Sequence, residues 1–185
     1  MVISQPCFAD EPKTALKDGK HWCEFDSIIS LSLQLAFEQI DKKVLESGDL
    51  QGGSTALCAL IRGKKLYLAN AGDSKAVLIR KNELLDITRE HRASNEEERV
   101  RVESQGGVII VHKTRSLVQG SLQITRSIGD RKYKKYISCE PDVFEHDITS
   151  DDQMLIMGSD GFWDVILNFI SWNNSFLRIW AMKKF

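Results

Sequence analysis

Cysteine is sparse and dispersed in this chain of 185 residues. Its four cysteines, Cys7, Cys23, Cys58 and Cys139, form no C-x-x-C pair. That argues against a zinc site and against a dense disulfide framework, and a reducing intracellular compartment, cytoplasmic or nuclear, is the expectation. Net charge is nearly absent: 25 Lys and Arg face 26 Asp and Glu, so nothing points to nucleic acid or an anionic membrane as a partner. No apolar run approaches the length of a membrane-spanning helix. The opening "MVISQPCFADEPK" meets Asp10 and Glu11 before any long apolar core, so no signal peptide is expected. Internal repeats and low-complexity tracts are also missing. What is present is a globular composition, 42% hydrophobic and 28% charged, in a length that suits one ordinary domain.

Three zones differ in character. Residues 1–27 contain two prolines, show little periodicity and read as irregular. Residues 28–166 carry regular patterning. "IISLSLQLAFEQIDKKVLE" (28–46) predicts an amphipathic helix with Leu33, Phe37, Ile40 and Val44 on its apolar face. Residues 51–88 then change period into short β-prone runs at 55–62, 65–71, 76–80 and 84–88. Gly63-Lys64, Gly72-Asp73-Ser74 and Asn82-Glu83 punctuate them like hairpin turns, which predicts an antiparallel meander. In "SNEEERVRVESQGG", Ser94 and Glu97 fit a capping box and Gly106-Gly107 a helix stop. Strands are expected at 108–111, within "SLQITRSIGD", and in "PDVFEHDIT" and "QMLIMGSD". Residues 167–185 form a divergent apolar tail without an acidic residue.

Carboxylates cluster at the ends of these runs. "MLIMGSDGFWDV" (154–165) closes an apolar strand on Asp160 and adds Asp164 four residues later, with Phe162 and Trp163 between them. A bare carboxylate against aromatics needs a cation or several donors. "NAGDSKAV" (70–77) places Asp73 at an expected hairpin tip, "TRSIGD" (125–130) supplies Arg126 and Asp130, and "GGSTA" (52–56) opens a strand with small residues. Taken singly, each aspartate equally suits an ordinary turn, and Arg126 suits an ion pair. Oxygen donors without a His/Cys cluster would favour a hard divalent cation over zinc.

In this order, from about Gly52 to Val165, the motifs resemble the metal-dependent serine/threonine phosphatases of the PP2C (PPM) family. "REHRASNEEERVRVESQGG" and "EPDV" (140–143) extend the likeness. The resemblance implies an α+β fold, an α-β-β-α sandwich of two antiparallel sheets flanked by helices, here incomplete at both ends. It also implies two or more Mg²⁺ or Mn²⁺ ions that activate water for hydrolysis of phosphoserine and phosphothreonine in a phosphorylated protein. By this resemblance Asp160 is a ligand of the main centre, and Asp73 and Asp164 are ligands of a further, weaker position. Phe162 and Trp163 pack the wall that orients them. Arg126, Asp130, Ser159 and Gly161 support the site. His91 matches a family histidine and reads as a hydrogen-bonding turn residue. "RKYKKY" (131–136) is either an attraction for phosphorylated substrates or a solvated face. Cys58, inside an apolar run, reads as a core residue.

Two family elements depart from the pattern. The family's Asp-Gly-His-Gly-Gly has its nearest match in "KDGKHW", which offers Asp18 and Gly19 as metal ligands and His21 as general acid. The alternative for that stretch is a simple loop turn. No counterpart of the family's phosphate-binding arginine or of its C-terminal Asp-Asn is visible. The expectation is a truncated or variant phosphatase acting as a monomer, without nucleic-acid or membrane partners. The alternative is a catalytically inactive pseudophosphatase that serves as a binding module.

Overall fold

The computed structural model describes residues 19–48, 51–81 and 83–172, with side chains from residue 26 to residue 166. Helix α1 spans Gly19–Glu46, so helical structure begins nine residues before the expected start, and Gly19, Lys20 and His21 open a helix instead of a loop turn. Asp18 and residues 173–185 lie outside the described residues, as does the side chain of His21. Phe37 is buried, with Leu33 and Val44 packed against the same cluster. Ile40 is not on that face: it is exposed, and the acidic Asp41 takes the buried place. Leu33, Phe37, Asp41 and Val44 keep the four- and three-residue steps of one helical stripe. The buried Asp41 carboxylate is satisfied there by the Gly129 N–H at 2.7 Å and by Lys134 Nζ at 2.8 Å.

Two three-stranded antiparallel sheets form the centre. The first has the order β2-β3-β9, from β2 (Ala56–Arg62), β3 (Lys65–Ala71) and β9 (Asp142–Asp147). The second has the order β10-β4-β5, from β10 (Asp152–Gly158), β4 (Lys75–Arg80) and β5 (Glu83–Asp86). The expected meander is therefore corrected at its middle. β2 and β3 form a hairpin, as do β4 and β5, but β3 and β4 do not pair. Gly72-Asp73-Ser74 is a crossover from one sheet to the other, not a hairpin tip. The physical reason is the competition for edges: β9 takes the free edge of β3 and β10 that of β4. Leu66, Leu68 and Ala76 are buried together, with Leu57, Ile87, Ile148 and Leu155 packed against them.

The short pair β1 (Gly53–Ser54) and β8 (Ile128–Gly129) lies against α1. Helix α2 covers Glu96–Ser104. It is capped by Asn95, whose side chain accepts the Glu97 N–H at 3.0 Å, not by Ser94 as the box pattern suggested. Gly106 has φ +80°, and the Gly107 N–H returns to the Val102 carbonyl at 2.9 Å, closing the helix at the expected glycines. The hairpin β6 (Ile109–His112) and β7 (Arg115–Val118) follows. "SLQITRSIGD" contributes only the two-residue β8 and isolated bridges, because its polar side chains are held by buried partners instead of a ladder. A 3₁₀ turn covers Arg131–Tyr133, and helix α3 runs Asp160–Trp172, into the segment read as a divergent apolar tail. Cys58 is exposed, not a core residue: among the described residues β2 is an edge strand, and only its first two residues are partly covered.

Candidate active site

The register of β4 against β10 builds the site. Gly158 pairs with Lys75, so the last residue of one strand lies beside the first of the other. Asp73 stands two residues before that pair and Asp160 two residues after it. Both carboxylates thus come to one end of the same sheet, although one precedes its strand and the other follows. Asp160 opens α3 instead of closing the strand, and its Oδ1 accepts the Gly161 N–H at 2.7 Å. A carboxylate suits a helix N-terminus, where unpaired N–H groups and the helix dipole favour negative charge. Asp164 lies one turn further along α3 and is exposed. The Ser159 carbonyl accepts the N–H groups of Phe162 and Trp163 at 3.1 and 3.2 Å, so it starts the helix.

Trp163 fastens the junction. Its Nε1–H lies 3.0 Å from the Lys75 carbonyl and 3.1 Å from the Gly158 carbonyl, the two residues that face each other in the register. The indole is buried, as expected for a wall residue, whereas Phe162 is exposed and meets Trp163 edge-on at 5.1 Å. Trp163→Phe keeps the ring packing and removes the shared donor. It is expected to cost about 1–2 kcal/mol of stability, measured by urea unfolding, since two carbonyls lose one bond.

Asp73 is held from several sides. Gly72 has φ +120°, and its N–H donates to His91 Nδ1 at 3.1 Å, while the His91 N–H returns to the Gly72 carbonyl at 3.0 Å. His91 is fully buried; its Nδ1 acceptor fits the expected hydrogen-bonding role, and its Nε2 lies 3.0 Å from Asp142 Oδ2 as an ion-pair contact without hydrogen-bond geometry. The buried Asn70 amide donates to the Gly72 and Arg89 carbonyls. Ser74 Oγ meets Thr55 Oγ1 at 2.9 Å, tying "GGSTA" to the crossover. Burial pushes the Asp73 carboxyl above its ordinary range; Asp160 adds to the rise, and the Arg92 guanidinium opposes it. Arg92 Nη2 lies 3.1 Å from Asp73 Oδ2. The sequence reading missed Arg92, because an arginine in a polar loop carries no periodic signal.

Arg126 belongs to a buried network behind this end. Its Nη2 reaches Glu98 Oε1 at 2.6 Å, and its Nη1 reaches Asp142 Oδ1 at 2.8 Å and the Glu140 carbonyl at 3.1 Å. Thr125 Oγ1 and Arg101 Nη2 donate to Glu98 Oε2 at 2.6 and 2.9 Å. The close approach of the His91 imidazole holds Asp142 well below the usual carboxylate range despite burial, with Arg126 and Arg89 adding to it. A continuous chain of contacts thus runs from Glu98 through Arg126, Asp142 and His91 to Gly72, the neighbour of Asp73. Asp130 stands apart. Its backbone is left-handed at φ 51°, its N–H binds the Gly52 carbonyl at 3.0 Å, and its Oδ2 accepts from Ser127 Oγ at 2.7 Å. In "RKYKKY", Lys134 is engaged by Asp41 and the Ser127 carbonyl.

The structure therefore brings Asp73 and Asp160 together, with Asp164 one helical turn away. Among the described residues no group of three or more His, Cys, Asp or Glu has the arrangement to hold a metal ion. Beside the site a cleft of about 330 Å³ is lined in part by Lys75, Arg89, Arg92 and Asn95.

Two antiparallel sheets joined by a carboxylate-bearing crossover, with helices at their flanks, define an α+β sandwich. A phosphatase 2C structure from Toxoplasma gondii superposes with a TM-score of 0.73 over 83% of this chain and 57% of that one, at 18% identity. A sex-determining protein of C. elegans superposes at 0.66 with 35% identity, over 72% of this chain and 33% of that one. The sequence pattern of protein phosphatase 2C matches residues 9–168, and the chain belongs to that family. Probable protein phosphatase 2C 59 of Arabidopsis thaliana is 36% identical over 148 residues, which is 78% of this chain and 47% of the relative. Probable protein phosphatase 2C 45 of Oryza sativa is 34% identical over 147 residues, 78% of this chain and 52% of the relative. The chain thus spans about half the length of these relatives.

Proposed function

We propose that the chain is a protein serine/threonine phosphatase of the metal-dependent type, in which Asp160, Asp73 and Asp164 present oxygen ligands to Mg²⁺ or Mn²⁺. The observation that carries this reading is the convergence of Asp73 and Asp160 across the Lys75–Gly158 register pair. The desolvated Asp73, raised further by Asp160, fits a site that a hard cation would relieve. The donor chemistry suits one such ion at this end, while a closed two-ion centre needs more ligands than these three carboxylates. When bound, the divalent ions supply activation of water and neutralisation of phosphoryl charge. The chain's own residues place the carboxylates: Trp163 fixes the strand ends, and His91 fixes the crossover. Ser159 and Gly161 set the first turn that aims Asp160, and Arg126 stiffens the layer behind.

The test is phosphate release from a phosphothreonine peptide with and without Mn²⁺. Asp160→Asn is expected to lower the rate by at least about a hundredfold, with an unchanged circular dichroism spectrum. Metal-independent turnover, or turnover that survives Asp160→Asn, would rule the reading out. The second reading is a pseudophosphatase that binds phosphoproteins without turnover. It is favoured by the Arg92–Asp73 pair, in which an internal cation occupies a proposed metal ligand. Phosphopeptide binding that persists in EDTA, without hydrolysis, would establish it.

A further inference from the structure

We propose that Arg92 is a built-in counter-cation for Asp73, one that a divalent ion must displace and that therefore sets how much metal this site requires. The inference rests on the reading of Asp73 and Asp160 as cation ligands. Its ground is the placement of one guanidinium between two carboxylates: Nη2 is 3.1 Å from Asp73 Oδ2, and Nε is 2.9 Å from Glu90 Oε2. The Asp73 side chain is only 12% exposed, so its charge is poorly hydrated and needs a positive partner. Arg92 is that partner.

The fold delivers the guanidinium as a fixed part. The backbone of Arg92 is bridged to Ile124, and its neighbours His91 and Ala93 donate their N–H groups to the Gly72 and Gln123 carbonyls. The arginine is thus anchored on both sides while its side chain crosses to Asp73. A divalent ion between Asp73 and Asp160 cannot leave this arrangement intact. It either competes for Asp73 Oδ2 or lies next to a like charge, and both weaken its binding. Glu90 offers the alternative seat: a guanidinium released from Asp73 remains paired there. Arg92 then acts as a positioning residue, holding the Asp73 carboxylate aimed and its charge compensated until metal arrives.

The experiment measures Mn²⁺ binding to the whole chain by isothermal titration, together with the Mn²⁺-induced rise in Tm. Arg92→Gln is expected to tighten Mn²⁺ binding about tenfold. It should also lower the Tm without added metal and enlarge the rise on Mn²⁺ addition, because Asp73 and Glu90 then lose the guanidinium they share. Arg92→Lys, which keeps the charge but loses the two-pronged fork, should fall between the two. Glu90→Gln is the second variant, useful if Arg92→Gln does not fold: with its other anchor gone, Arg92 stays on Asp73 and Mn²⁺ binding weakens. Unchanged or weaker Mn²⁺ binding in Arg92→Gln, or tighter binding in Glu90→Gln, overturns the inference while Asp160-dependent binding in the parent chain preserves the functional reading. Absence of Mn²⁺ binding to the parent and both variants at millimolar metal removes that reading and the inference together.

Discussion

Glu98→Ala is expected to lower the unfolding free energy by about 3–5 kcal/mol, the loss typical of removing one partner from a buried ion pair. Glu98 is 2% exposed and accepts from Arg126, Arg101 and Thr125. Removing it leaves Arg126, also buried, with Asp142 as its remaining carboxylate. Urea unfolding checks the value, and a loss below about 1 kcal/mol would show that the network relaxes or hydrates. The same residue predicts acid behaviour. Burial alone would raise the Glu98 carboxyl, but bonds from Arg126, Arg101 and Thr125 outweigh it and hold the pKa at about 2, against 4.5 for the free group. A depressed native pKa means that the folded state binds its proton later than the unfolded chain. The contribution is therefore complete above about pH 4.5 and is lost as pH falls through about 2. Glu98→Gln should flatten that part of the stability profile.

Gly72→Ala is expected to cost about 2–4 kcal/mol and to displace Asp73. A Cβ at Gly72 would lie 2.4 Å from Thr55 Cγ2 and 2.6 Å from its Cβ, at a backbone φ of +120°. Steric overlap and an unfavourable dihedral each contribute about 1–3 kcal/mol. The crossover must yield, since Thr55 is also fixed through Ser74. If Asp73 serves the reaction as proposed, Mn²⁺-dependent turnover should fall further than stability alone explains, measured under conditions where the variant remains folded. A variant with parental stability and turnover would mean that the crossover accommodates a side chain freely.

Local pattern was most legible where one rule decided the outcome. The strand Lys65–Ala71 was read to the residue, and the α2 stop at Gly106 followed from its left-handed glycine. The sandwich itself was implied by the order of the motifs, and the α+β fold agrees with it. Turn chemistry was less informative: Gly-Asp-Ser suits a hairpin and a crossover alike, and only the later strands β9 and β10 decide between them. Glu98 was unmarked because it stands in a run of three glutamates, two of them exposed. A signal existed, since Glu98 lies four residues before the buried Val102 on the same helical stripe. Asp41 hid in the same way: its position on the apolar stripe was less persuasive than the hydrophobic Ile40 beside it. The convergence of Asp73 and Asp160 was suggested by motif order, whereas the Arg92 pairing depends on tertiary approach and had no local trace.

The crossover between β3 and β4 also shapes the order in which the chain can assemble during synthesis. Each sheet begins with an early hairpin and is finished by a strand from the far end, β9 beside β3 and β10 beside β4. The β3 edge stays unpaired until Asp147 has emerged and the β4 edge until Gly158 has, and closing them requires long loops that slow the search for native pairings. Asp160 follows immediately, so the last event that completes the second sheet also delivers its second carboxylate. A nascent chain halted before β10 would carry Asp73 without its neighbour and an open β4 edge ready to meet other chains.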